Sequence, residues 1–148
     1  MKVLKITGLV LLVALVVLQF ISTRSNQSTT VLSTDFAKTY DVPEDVRSIL
    51  AVSCYNCHSN NTNYPWYSRV QPVGWYLENH IKKGKEELNL SEFGSYSTRK
   101  QKSKLKSMIS QVDDGEMPLA SYTFIHREAC LSENSKKRLV DYLKTLNE

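Results

Sequence analysis

The sequence has few of the residues that interrupt helices or build turn-rich folds. Its 148 residues include only 5 glycines, 4 prolines and 3 cysteines, and no stretch shows the convincing alternation of polar and apolar residues that indicates a strand. With 41% hydrophobic and 23% charged residues, the composition excludes collagen-like, low-complexity and wholly disordered chains. The length suits one packed domain and excludes a multidomain enzyme.

The chain also lacks a concentrated surplus of basic residues. It has 19 basic and 15 acidic side chains, but Lys2, Lys5 and Arg24 lie in a segment, residues 1–24, that has no acidic residue. The rest of the chain is close to neutral, which argues against a nucleic-acid-binding protein. The one remaining basic stretch, residues 99–106, is interpreted as the solvated face of a helix.

Residues 6–23 contain no charged side chain, and as a helix they nearly match the thickness of a membrane's hydrocarbon core. Basic residues precede this stretch, and no Ala-x-Ala-like cleavage site follows it. We therefore predict an uncleaved transmembrane anchor over residues 1–24, a polar tether over 25–40, and a domain over 41–148. The predicted location is the outer side of the cytoplasmic membrane, or export if the leader is cleaved.

Helical periodicity accounts for the rest of the chain, so the predicted fold class is all-α. A capping box with Asp41 as N-cap and Glu44 at N3 predicts a helix that leads into Cys54. A second helix is predicted to start at Pro72. A third is predicted over Thr98–Asp113 and ends before Gly115, and a last one follows Ser132, which serves as its N-cap.

The chemically specific motif is Cys54-Tyr55-Asn56-Cys57-His58, which has the C-x-x-C-H form of covalent c-type haem attachment. Each thiol can add to one haem vinyl group, and the two-residue spacer matches the separation of the vinyls. The adjacent His58 can supply an imidazole nitrogen to the iron as the proximal ligand. The predicted cofactor is therefore one covalent haem c.

Three other chemistries are open to this pair of cysteines. A thiol redox pair would normally lie among alternating strands and helices, which the sequence lacks. A zinc site would need further ligands, but Cys130 is the only other cysteine. A structural disulfide would leave His58 without a role. Cys130 itself is interpreted as a small buried apolar residue.

A second iron ligand is predicted from the loop before the last helix. Met117 follows Gly115 and precedes Pro118, on a segment that can bring its thioether to the iron. His126 and His80 are the alternative ligands, whereas Met108 has the spacing of a core residue.

Beyond these motifs, the sequence resembles the bacterial haem-binding domain family of small, membrane-anchored monohaem c-type cytochromes. The resemblance is carried by residues 54–60 and 64–67, by Pro72, Trp75 and His80, by residues 88–93, and by Met117-Pro118 with Tyr122 and His126. It implies covalent haem at Cys54 and Cys57, iron on His58, and a loop methionine at Met117. The helix before Cys54 and the last helix also resemble those of a class I cytochrome c fold.

The function predicted from these observations is single-electron transfer outside the cytoplasmic membrane, with redox proteins of the membrane or periplasm as partners. We expect an electron carrier rather than an enzyme. The alternative is a haem-based sensor of small ligands, or a peroxidase-like enzyme, with an open distal site. A non-haem domain that uses the cysteines as a clamp is the third hypothesis.

Overall fold

The computed structural model describes residues 2–21, 25–28 and 30–147 of the chain. These residues form eight α-helices and no β-strand, so the predicted all-α class is confirmed. The helices are α1 (Lys2–Leu18), α2 (Phe36–Thr39), α3 (Glu44–Ser53), α4 (Tyr55–His58), α5 (Val73–Glu87), α6 (Thr98–Asp113), α7 (Ala120–Ile125) and α8 (Glu133–Asn147). Short 3₁₀ helices cover Trp66–Arg69, Leu90–Ser95 and Arg127–Ala129.

The predicted transmembrane anchor is wrong. Helix α1 ends at Leu18 and has 17 residues, which at 1.5 Å per residue span about 26 Å, less than the roughly 30 Å of a bilayer core. Within the described part of the chain, no helix combines the length and the apolar character needed to cross a membrane. The predicted single-pass membrane location depends on that anchor and is therefore also wrong. Residues 1 and 22–24 of the predicted segment lie outside the described residues.

The hydrophobic core is built mainly by α3, α6 and α8. Val46 and Leu50 of α3 are fully buried, as are Leu139 and Leu143 of α8. Helix α6 packs along α8 through the stripe formed by Leu105, Met108 and Val112. The helix that precedes Cys54 and the last helix are therefore in contact, which fixes the start of the motif against the core.

Residues 25–40 are predicted to be a tether. Two of them, Asp35 and Phe36, instead contact the motif and the core. Phe36 is fully buried and its ring lies edge-on to Phe93, with 5.1 Å between centroids. The buried Asp35 caps α2 by accepting a hydrogen bond from the Ala37 amide, and its Oδ1 also accepts one from the Tyr55 hydroxyl at 2.8 Å. Tyr55 is the first spacer residue of the motif, so this contact restrains the motif from outside.

Candidate functional site

The C-x-x-C-H motif lies at the junction of α3 and α4. The Cys54 amide donates to the Leu50 carbonyl at 2.9 Å and ends α3, and the Cys54 carbonyl accepts from the amides of Cys57 and His58 at 3.2 and 3.0 Å. This single helical turn places residues at spacings i, i+3 and i+4 on one face. Cys54, Cys57 and His58 are brought together for this reason.

His58 is oriented by backbone carbonyls of α5 and its C-terminal cap. Its Nδ1 lies 2.9 Å from the Gly84 oxygen and 3.1 Å from the Leu88 oxygen. A carbonyl only accepts, so Nδ1 must carry the proton, and Nε2 of the neutral ring keeps an unshared electron pair. A histidine whose other nitrogen is tied in this way is oriented to bind a metal through Nε2.

Both thiols are partly buried in surroundings of low polarity. Burial and, as the smaller cause, the neighbouring Cys57 raise the pKa of Cys54 to about 12, and burial also raises the pKa of Cys57. Both groups are therefore neutral thiols near pH 7, and the structure leaves them unbonded to each other. A reactive redox thiol needs a lowered pKa, so the thiol-redox alternative is not favoured. Nor do any three His, Cys, Asp or Glu side chains in the described residues cluster as a zinc site would require.

One cavity of about 430 Å³ collects most of the predicted site residues. Its walls include both cysteines and His58, together with Met117 and His80. Leu88, Leu131, Leu139 and Val112 supply aliphatic wall. An apolar cavity with a few convergent polar groups is the usual form of a cofactor site.

The loop after α6 places Met117 at this cavity. Gly115 has a φ of +71°, a backbone conformation that favours glycine. The amides of Glu116 and Met117 then donate to the Gln111 carbonyl at 2.9 and 3.0 Å. This folded-back turn, which follows the predicted end of α6, holds Met117 beside the α6 residues that line the cavity.

The two alternative histidines have different surroundings. His80 lines the cavity, and its Nδ1 lies 3.0 Å from the Tyr76 carbonyl oxygen, so its Nε2 also keeps an electron pair. His126 is absent from the described residues lining the cavity. Its Nε2 lies 2.7 Å from the Tyr67 hydroxyl and its Nδ1 lies 3.1 Å from Glu128 Oε1. Both ring nitrogens of His126 are thus engaged elsewhere.

Sequence reasoning missed the polar residues that α5 and α6 contribute to the cavity. They are Lys83 and Glu87 of α5, and Lys104, Ser107 and Gln111 of α6. The signal was present, because Lys83 and Glu87 share helical spacing with His80 and Gly84, and the α6 residues share it with Met108. The basic stretch that was interpreted as a solvated face therefore has one lysine, Lys104, turned to the site.

Cys130 also differs from its interpretation. The side chain is exposed rather than buried, because it follows the 3₁₀ helix Arg127–Ala129, where Ala129 takes the buried position.

Replacing Gly84 with Ala tests the close approach of α5 to the motif. An added Cβ would lie 3.0 Å from the Cys57 carbonyl oxygen and 3.5 Å from Cε1 of His58. Ala normally stabilises a helix interior relative to Gly by up to about 1 kcal/mol. We nevertheless expect the free energy of unfolding to fall by about 1–2 kcal/mol through overpacking, with less haem per chain in the matured protein.

Chemical denaturation and a haem assay on the purified protein would measure both effects. Asn79→Ala, at an exposed position of the same helix, is the matched control: it should keep the full haem content and should not lower the free energy of unfolding. A Gly84→Ala protein that is more stable than the parent and carries full haem would contradict the assigned contact.

The comparison with known families agrees with this geometry. The family model described as "Haem-binding domain" matches residues 13–145, so the chain belongs to the haem-binding domain family. A haem cofactor is thereby confirmed, and its covalent attachment stays a prediction. No curated protein and no solved structure matches the chain. The cavity fits the group: it offers an imidazole with a free Nε2, two thiols one helical turn apart, a thioether and an apolar wall.

Proposed function

We propose that this chain is a monohaem c-type electron carrier. In this proposal Cys54 and Cys57 would attach the haem, and His58 and Met117 would bind its iron. The observation that carries it is the pair of carbonyls on Nδ1 of His58, since they orient a free imidazole nitrogen within a cavity that the two thiols also line.

The attachment chemistry follows from the state of the thiols. Each cysteine sulfur would form a C–S bond to the inner carbon of a haem vinyl group, and the thiol proton would go to the outer carbon. The addition is redox-neutral and releases no leaving group. The structure leaves Cys54 and Cys57 without a disulfide bond, so both are in the reduced form that this addition needs.

Two side chains are available to complete the iron coordination. Met117 is favoured because its amide donates to the Gln111 carbonyl, which holds the loop after α6 beside the cavity, and because a thioether suits the iron of an electron carrier. His80 is the alternative that the cavity supports, since it also lines the wall with a free Nε2. His126 would first have to give up its contact with Tyr67.

Iron porphyrin supplies one-electron redox chemistry when bound. The chain's contribution is to exclude water with the aliphatic wall, to orient His58 through Gly84 and Leu88, and to hold Met117 at the same cavity. A protein with this role needs no substrate pocket, and its partners are other redox proteins.

Stoichiometric reduction of the matured protein tests the proposed role. We expect one electron per chain to convert the protein fully, with a low-spin spectrum in both oxidation states and slow carbon monoxide binding. Parent protein with high-spin iron that binds carbon monoxide rapidly would instead support the sensor or peroxidase-like alternative.

A further inference from the structure

The wall of the haem cavity carries charge at only a few places among the described residues. Apart from histidines, the charged lining residues are Lys83, Glu87 and Lys104. Lys83 is exposed. The Lys104 side chain is only 25% exposed, whereas that of its ion-pair partner Glu87 is 82% exposed. The cation at this place is thus largely covered by protein while the anion is in water.

The ion pair between these two residues is loose. Nζ of Lys104 lies 3.6 Å from Oε2 of Glu87, which is longer than a normal charge-assisted hydrogen bond of about 2.7–2.9 Å. Because the Glu87 carboxylate is in water and the contact is long, this pair contributes little to stability. Covering a lysine beside an apolar cavity is costly unless the charge gains a better partner. An anion that entered the cavity could give Lys104 this closer partner.

Haem brings such an anion. It carries two propionate carboxylates on the half of the ring opposite the two vinyl groups. Since the thiols of Cys54 and Cys57 fix the vinyl half, the propionate half must lie toward another part of the wall. Lys104 comes from α6, a different helix from those that carry the thiols, and Ser107 and Gln111 on the same stripe of α6 are hydroxyl and amide donors.

We infer that Lys104 is the cation that binds a haem propionate in this site, and that Glu87 is its ion-pair partner only until haem binds. This inference deepens the proposed function and rests on it. Glu87 lies between Gly84 and Leu88, whose carbonyls hold His58, so a propionate at Lys104 would approach the Glu87 carboxylate and be repelled by it.

The two members of the ion pair should therefore have opposite effects on haem affinity. Removing the Lys104 charge takes away a partner of the propionate, while removing the Glu87 charge takes away a competitor. If the pair merely stabilised the fold by joining α5 to α6, loss of either charge would weaken haem binding. The sign of the Glu87 effect separates the two explanations.

The first experiment measures reversible binding of ferric haem and of haem dimethyl ester to the full chain with Cys54→Ala and Cys57→Ala. In this background Lys104→Met should weaken haem binding about tenfold and leave the affinity for the uncharged ester unchanged. Glu87→Gln should strengthen haem binding severalfold. Lys106→Met, at an exposed position of α6 that does not line the cavity, is the matched control and should change neither affinity.

The second experiment uses the covalently loaded chain, so that the inference stays testable if the thiol-free protein binds haem poorly. The resonance Raman band of propionate bending should shift in Lys104→Met and keep its position in Lys106→Met. Equal losses of haem and ester affinity in Lys104→Met, weaker binding in Glu87→Gln, or an unshifted propionate band would overturn the role of Lys104 and leave the proposed function intact. A parent chain that takes up neither porphyrin and matures colourless would overturn both.

Discussion

Replacing His58 with Ala is expected to abolish haem incorporation almost completely. The variant keeps both thiols but loses the imidazole that Gly84 and Leu88 orient toward the cavity. Without this imidazole, the proposed ligand on this side of the cavity would be missing when the thioethers form. Co-expression with a cytochrome maturation system, followed by a haem stain after denaturing electrophoresis, measures the amount of attached haem per chain.

His80→Ala is the matched control for this experiment, because it removes a second imidazole from the same cavity. We expect it to mature with haem close to the parent level. His126→Ala should behave similarly, since that ring is tied to Tyr67 and Glu128. Normal haem content in His58→Ala would contradict the assignment of the proximal ligand.

Replacing Met117 with Ala is expected to leave the haem attached but to change its coordination. Loss of the thioether should convert the ferric protein to high spin and eliminate the sulfur-to-iron charge-transfer band. Carbon monoxide should then bind the reduced protein rapidly. The reduction potential should fall on the order of 100 mV, within the roughly 0.8 V range that axial ligands span. Optical spectra and a redox titration measure these changes.

Met108→Leu provides the comparison for a methionine in the same region. Met108 is buried on α6 and also lines the cavity, but its place in the core makes a volume-conserving change well tolerated. Its spectrum should match that of the parent. If Met117→Ala stays low-spin while His80→Ala becomes high-spin, His80 is the ligand and the assignment of Met117 is wrong.

Sequence reasoning succeeded where the signals are local. The spacing of apolar residues gave α6 as Thr98–Asp113, and Ser97 and Gly115 mark its two ends in the structure. Ser132 caps α8 as predicted, accepting a hydrogen bond from the Ser135 amide at 3.1 Å. The motif from Cys54 to His58 is one helical turn, so its residues are consecutive in the sequence and the pattern can be recognised there.

Local signals failed where tertiary contacts compete with them. The predicted capping box at Asp41 does not form, since α3 begins at Glu44 after Pro43 without a side-chain cap. The Asp41 carbonyl instead accepts a hydrogen bond from the Tyr142 hydroxyl of α8 at 3.2 Å. Phe36 follows a polar run, and nothing in that run indicates that it is buried against Phe93.

The contacts around the motif could not be predicted from the sequence either. The carbonyls that orient His58 lie 26 and 30 residues along the chain, and the partner of Lys104 lies on another helix. These pairings depend on how α5 packs against α4 and on where the fold places α6 beside the cavity, neither of which helical periodicity specifies. The resemblance to haem-binding domains identified the cofactor without identifying these contacts.

The mass of the matured chain under denaturing conditions tests the central claim most directly. Full-length protein from a host that performs cytochrome maturation should be heavier than its polypeptide by one haem, and peptide mapping should find the added mass on Cys54 and Cys57. Changing both cysteines to Ala should return the denatured mass to that of the polypeptide. A parent chain whose denatured mass equals its amino acids alone would contradict covalent attachment.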